Sequence, residues 1–398
     1  MTLGGSNIWS VRLAGHLAKL GRRAILIEHT CVDWHPPLEV AIPSDVETIH
    51  CPGPTPIDAT EKDIEGYASV YRNALPAIII PNYTAAAYAA CARLATERPN
   101  DVRVIGVGHG DSEDYYSLLS YYEPVIHQLI AVNRRMADHL LEIMPWRGND
   151  IVTKSCPVDV PPALDRSYAD APTPLQLVYA GRITNHMKRV SSLIPLVKAL
   201  DKLGVNFRLR VIGEGGYKRT LLDDVAGLEP DLRERISIEG QITPNQMMSV
   251  WASSDVTLLV SDSESTGLSL LEGMAAGCVP VSTRCNGPEE CVQNEENGFL
   301  VHVDDMIGMA GCIQRLGLDR LMLQRMGKKA HETARDRYSY DHYVPWFLDV
   351  VEHVWDMPPR AWDPSRSLMT PVEKGDRPRS LRQKWLAWLG RMKHCRRV

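Results

Sequence analysis

The sequence predicts an α/β protein built as two parallel-sheet domains, on three observations. Short β-rich runs alternate with helix-length intervals through both halves, the pattern of parallel strands joined by crossover helices. The alternation breaks over residues 161–174, where Pro161, Pro162, Pro172 and Pro174 stand in a stretch of little apolar content, which reads as a linker. A chain of 398 residues also exceeds one compact core. Two such sheets face each other across a cleft, and ligands bind at the carboxyl ends of parallel strands.

In chain order, a Gly4-Gly5 turn leads to Ser6 or Asn7 as a helix N-cap. Val11, Leu13, Ala14, Leu17, Ala18 and Leu20 then follow at helical spacing, and Gly21 is the stop. Strands are expected over 24–27, 77–80, 102–107 and 127–132. After the linker the pattern restarts with a strand over 175–179 and a helix over 191–203 that stops at Gly204. Further strands are expected over 207–212, 235–238, 256–260 and 279–282. No internal repeat is evident.

The composition, 44% hydrophobic and 23% charged, is that of an ordinary globular protein, and no apolar run approaches a membrane span of about 18 residues. Residues 1–21 lack the apolar core of a signal peptide. Nine scattered cysteines without a Cys-x-x-Cys pair fit a reducing compartment better than a disulfide frame or zinc site. The chain therefore reads as cytoplasmic.

The net charge of −5 is unevenly spread. Residues 1–376 hold 36 basic and 49 acidic residues, while 377–398 carry eight bases and no acid. Within this tail Leu381, Trp385, Trp388, Leu389 and Met392 fall on one helical face, the pattern of a helix lying in an anionic membrane surface. A disordered cationic extension and a helix packed on the acidic body are the alternatives. The acidic body argues against nucleic acid.

Two motifs carry chemistry. Glu264 and Glu272 lie eight apart around Gly267, just after the apolar run at 256–260. A strand ending in a glycine turn that opens a helix places Glu264 in the loop, with free backbone N–H groups beside it and Glu272 two turns into the helix. One carboxylate can hold sugar hydroxyls and the other a ribose diol. Glu39 and Glu47 share the spacing, so context must decide. The second motif is Gly181-Arg182 at a strand end with Lys188 six residues on, two cations able to meet a departing diphosphate.

With these residues in place, and with Gly4-Gly5, His109, Gly213-Glu214-Gly215, Gly287-Pro288-Glu289 and Asn297-Gly298 in the same order, the chain resembles the family-four retaining glycosyltransferases. That resemblance implies the GT-B fold, two Rossmann-like domains facing across a cleft. It divides the chain into an acceptor-side domain (1–165), a nucleotide-sugar domain (166–340), a return helix (341–356) and a basic amphipathic tail (357–398). It implies that Arg182 and Lys188 hold the donor diphosphate, that Glu264 contacts the transferred sugar, and that His109 lies over that sugar. Gly267 and Leu268 would offer backbone amides and Glu272 would hold the ribose. Gly181 and Gly213 belong to the donor loops, and Gly4 and Gly5 would let the first helix approach the donor phosphate.

Other readings of single residues stay open: Glu272 as an internal salt-bridge partner, His109 as a turn residue, and Gly213 to Gly216 as a loop needing positive φ. Asp304-Asp305 and Asp262-Ser263-Glu264 resemble acid pairs that bind metal, but no essential metal and no cofactor is expected. The chain departs from the family pattern in three places. Only Met1-Thr2-Leu3 precede Gly4, where the family has a full strand, so either the start is late or the first domain lacks its first central strand. Arg189 stands where glycine is common, and Thr266 where an aromatic is frequent.

The resulting expectation is a metal-independent retaining hexosyltransferase. It would take a nucleotide diphosphate sugar as donor and a glycan or lipid-linked acceptor, with peripheral attachment to the inner membrane face through 377–398. A sugar-nucleotide epimerase on the same fold and a non-catalytic nucleotide-sugar-binding protein are the rivals. The base, sugar, acceptor, linkage and oligomeric state are not encoded in any motif.

Overall fold

The computed structural model describes residues 5–30, 41–52, 60–168, 170 and 172–369. Gly4 and the basic segment 377–398 lie outside the described residues, and with them the expected membrane-surface helix.

The first domain runs α1 (Gly5–Lys19), β1 (Ile25–Thr30), β2 (Glu47–Pro52), α2 (Glu61–Ala74), β3 (Ala77–Ile79), α3 (Ala85–Glu97), β4 (Val102–Gly108), α4 (Glu113–Tyr121), β5 (Gln128–Ala131), α5 (Arg134–Ile143) and β6 (Ile151–Thr153). Strands β3-β4-β5-β6 form a parallel sheet. Its strands are near-continuous apolar runs because helices cover both faces, and every residue of β4 is buried. Thr60 and Asp63 close a reciprocal capping box at the start of α2, and Asn133 caps α5 through Met136 N–H at 2.8 Å. Strands β1 and β2 pair in parallel as a separate sheet, and among the described residues no strand joins it to the other four.

The second domain runs β7 (Leu175–Ala180), α6 (Leu193–Lys202), β8 (Phe207–Ile212), α7 (Lys218–Ala226), α8 (Pro230–Arg233), β9 (Ile236–Glu239), α9 (Pro244–Ala252), β10 (Val256–Leu259), α10 (Leu268–Ala275), β11 (Val279–Thr283), α11 (Asn286–Cys291), β12 (Phe299–Val301), α12 (Met306–Leu318) and α13 (Arg320–Tyr338). Its six parallel strands lie in the order β12-β11-β10-β7-β8-β9. The chain leaves β7 toward β8 and β9, then returns to β7's other side with β10. That reversal opens a crevice at the carboxyl ends of β7 and β10, the place where such sheets bind ligands.

Two segments cross between the domains. Val158 forms a parallel bridge with Ser339, and Val158 N donates to the Tyr338 carbonyl at 2.8 Å. The crossing therefore falls near Val158 rather than at 165. Part of the proline-rich stretch expected as a linker is a strap packed on the second domain. Arg166 there reaches Asp255 at 3.2 Å and the Ala276 carbonyl at 3.2 Å, and Tyr168 donates to the Gly277 carbonyl at 2.8 Å. Proline clustering marks irregular backbone, and packing decides whether that backbone is free.

Helix α14 (Tyr340–Asp356) returns to the first domain, close to the expected 341–356. Residues 357–369, assigned to the tail by sequence, also pack there. Arg103 donates to the Met357 carbonyl at 3.1 Å, and Trp362, 3% exposed, sits against Tyr121 and Tyr122. Among the described residues no helix is long and apolar enough to cross a membrane.

Candidate active site at the inter-domain cleft

The loops after β7 and β8 are locked together by backbone. Gly181 N donates to the Ile212 carbonyl at 3.0 Å and Ile183 N to the Glu214 carbonyl at 2.8 Å. Gly213 has φ +147, and a Cβ on it would lie 1.9 Å from the Gly181 carbonyl oxygen. Only glycine fits that approach, so Gly213 and Gly181 shape the loop that carries Arg182. The exposed Arg182 side chain has no hydrogen-bond or ion-pair partner among the described residues. Its charge reaches Tyr83 of the first domain, whose hydroxyl burial holds above the usual tyrosine range and Arg182 draws back down. Arg182 therefore faces the cleft as an open cation.

Lys188 lies on the same loop, and its Nζ meets Glu264 Oε1 at 2.5 Å. Ser261 Oγ donates to the same oxygen at 2.6 Å, and Glu264 is 7% exposed. Arg189 takes φ +47, the left-handed region that glycine enters freely, which accounts for the family's glycine at this position. Here its guanidinium pairs with Asp304 and lies 3.7 Å from Asp262, which ties down the conformation. Of the four acids noted as metal candidates, Asp304 and Asp262 thus serve an arginine, Asp305 accepts from Gly308 N–H, and Glu264 meets Lys188. Among the described residues no three His, Cys, Asp or Glu side chains converge as a metal set.

Gly267 opens α10 with φ +73. The Leu268 and Ser269 N–H groups at that helix start have no intrahelical acceptor and carry the positive end of its dipole. The start of α1 packs on the same point: a Cβ on Gly5 would lie 3.1 Å from Leu268 Cδ1. Two helix N-termini from opposite domains therefore meet at Leu268, a favourable place for a phosphate.

Glu272 projects from α10 to Arg12 of α1, with Nη1 to Oε1 at 3.1 Å. Arg12 also reaches Asp159 of the crossing segment at 3.1 Å. Burial pushes the Glu272 carboxyl above its usual range, and Arg12 only partly offsets that. Burial opposes the Arg12 charge, but Glu272 and Asp159 keep its pKa raised. The salt-bridge alternative noted for Glu272 is what these side chains show, with a partner in the other domain.

His109 follows β4 and packs edge-on to Trp9 of α1, ring centroids 4.8 Å apart. Its Nε2 lies 3.1 Å from Asn82 Oδ1, and its Nδ1 3.9 Å from Cys156 Sγ. Burial pushes its pKa down to about 3, so the imidazole is neutral at physiological pH.

The domains also touch along a second line. Asn133 donates to the Ser265 carbonyl at 2.7 Å, and Asn286 donates to Asp111 at 2.8 Å. Arg12, Asn82, Asn133 and Cys156 escaped the sequence reading. The one local signal was the position of Asn82 in the loop after a strand, since Arg12 and Asn133 meet their partners only across the domain interface and Cys156 meets His109 only in the folded first domain.

The fold and the cleft define a two-domain GT-B protein with a charged crevice at the switch point of its second sheet. Residues 162–333, most of the second domain, match the family described as glycosyl transferases group 1. N-acetyl-alpha-D-glucosaminyl L-malate synthase of Bacillus anthracis is 30% identical over 172 residues, 43% of this chain and 44% of that protein. The lipopolysaccharide core biosynthesis glycosyltransferase LpsD of Rhizobium meliloti is 27% identical over 244 residues, 60% of this chain and 67% of that one. A glycosyltransferase structure from Rickettsia africae superposes with TM-score 0.68 at 18% identity, covering 89% of this chain and 96% of that one. The alignment with the first relative thus spans less than half of its length.

Proposed function

We propose that the protein is a retaining glycosyltransferase that moves a hexosyl unit from a nucleotide diphosphate sugar to a glycan or lipid-linked acceptor without an essential metal. The contact of Lys188 with Glu264 at the switch point, with Arg182 open to the cleft on the same loop, carries this reading. In it Arg182 and Lys188 neutralise the diphosphate as its bond to the sugar breaks, and the Gly267 and Leu268 amides together with Gly5 and Gly4 line the phosphate path. Glu264 holds hydroxyls of the transferred sugar, Glu272 the ribose, and His109 a further sugar hydroxyl. A phosphate oxygen of the donor takes the acceptor proton on the face that the diphosphate leaves.

The test is nucleotide release from UDP- and GDP-sugars by purified protein in chelator. Release at the same rate with and without chelator is expected, with large losses in Arg182→Ala, Lys188→Ala and Glu264→Ala. Wild-type rates from all three variants would end the proposal. The acceptor reading is supported by the lipopolysaccharide relative and the basic tail. Liposome flotation of the full chain against one ending at Asp376 tests the anionic membrane surface, and equal flotation removes it.

A further inference from the structure

Asn82, in the loop after β3, has φ +50, a left-handed conformation that asparagine tolerates better than other residues with a Cβ. It is held there from three sides. Its carbonyl oxygen lies 3.1 Å from the Tyr115 hydroxyl, which also meets the Val107 carbonyl, its amide nitrogen donates to Ser10 Oγ of α1 at 3.1 Å, and its side-chain oxygen faces His109 Nε2 at 3.1 Å. A strained residue so fully constrained beside a candidate site calls for a functional reason.

The hydrogen bonds have a direction, and it can be worked out. A serine hydroxyl has one proton, and Ser10 gives it to the Ser6 carbonyl at 2.9 Å. Toward Asn82, Ser10 Oγ can then only accept, which turns the amide nitrogen to Ser10 and the amide oxygen to His109. An amide oxygen has no proton to give, so His109 Nε2 must carry one. The remaining ring nitrogen, Nδ1, keeps its lone pair and faces the Cys156 thiol at 3.9 Å. Burial raises the pKa of the Cys156 thiol, and Thr266 of the donor loop draws it back down. The chain thus runs from the second domain through His109 to the start of α1.

We infer that Asn82 is a positioning residue that holds His109 in its Nε2–H form and fixes the ring's orientation, with Nδ1 left as the acceptor toward the Cys156 thiol. This rests on the glycosyltransferase reading for its meaning, though not for its geometry. Protonation of the ring does not compete, because burial holds its pKa near 3 and the groups around it, Trp9, Tyr83, Tyr115 and Cys156, are uncharged at neutral pH.

Long-range proton–nitrogen NMR of the full chain labelled at histidine reads the tautomer, with His109 assigned by its loss in His109→Gln. The wild type should show the protonated, pyrrole-type nitrogen at Nε2. Ser10→Ala removes the acceptor that orients the amide and should populate both tautomers, as should Asn82→Ala. Asn82→Asp places a carboxylate beside the ring and should lift its titration upward, visible in the pH series. With a sugar-nucleotide donor, Asn82→Ala should lower kcat about tenfold and leave KM nearly unchanged, the mark of lost orientation. A proton at Nδ1 in the wild type, or a tautomer unmoved by Ser10→Ala, overturns the inference. Should Asn82→Ala fail to fold, Ser10→Ala carries the test. A wild type that turns over no sugar nucleotide sinks the proposed function alone, since the NMR result is read without substrate.

Discussion

Arg12 of the first helix and Glu272 of the second domain meet across the cleft at 3.1 Å, so the carboxylate assigned to a ribose is also an anchor between the domains. The two side chains are about one-fifth exposed, which places the pair between the surface and buried regimes. Arg12→Ala strands a carboxyl that burial already disfavours as an anion. We expect it to cost about 1–2 kcal/mol of stability in urea unfolding, a typical penalty for a group left without its partner. An unchanged midpoint would mean that the pair is open in solution.

Lys188 and Glu264 should behave as one unit in turnover. Removing a cation that faces developing charge typically costs about 10²–10³ in rate, and Lys188→Ala should fall in that range. The double variant Lys188→Ala with Glu264→Gln should lose much less than the product of the single losses, because each group orients the other. Steady-state kinetics on all four proteins decides, and multiplicative losses would separate their roles.

Gly213→Ala places a Cβ 1.9 Å from the Gly181 carbonyl oxygen in a backbone with φ +147. It should destabilise by more than about 2 kcal/mol, since neither backbone segment can shift without breaking the bonds that pair the two loops. Gly216, where an added Cβ would meet nothing within 4 Å, is the control, and Gly216→Ala should unfold close to wild type. Equal midpoints for the two variants would refute the close-approach argument.

His127 sets the acid limb of stability. It is 1% exposed, its Nδ1 accepts from Val104 N–H at 3.1 Å, and burial, with Arg360, Arg103 and Arg147 nearby, pushes its pKa down to about 3. The unfolded chain binds a proton on this ring near pH 6.5 while the folded one does not, so stability falls as pH drops from about 6.5 toward 3. His109 shares the same sign and window. Within it each ring contributes a slope of up to about 1.4 kcal/mol per pH unit. His127→Asn keeps an acceptor for Val104 and should flatten the slope of unfolding free energy between pH 7 and 5, measured in urea. A slope equal to wild type would show that other groups set it.

Much of the second domain was legible because its signals are local. A run such as 256–260 buries on both faces and reads as a strand without reference to any partner, and Gly267 marks the turn that opens α10. Arg182, Lys188, Glu264 and Glu272 could be singled out because strand-end loops gather where parallel strands end. The strap at 161–168 was misjudged as a tether, since composition reports backbone irregularity while Arg166 and Tyr168 report packing.

The sequence by itself determined the alternation of strand and helix, the restart after the prolines, and which loops carry charge, because each follows from neighbours a few residues apart. Tertiary structure alone decided that Arg12 answers Glu272 over 260 positions of chain, that Asn82 orients His109, and that β10 returns beside β7. The physical reason is that hydrogen bonds and ion pairs act over a few ångströms of space, and only the folded backbone brings residues so far apart in the chain within that reach.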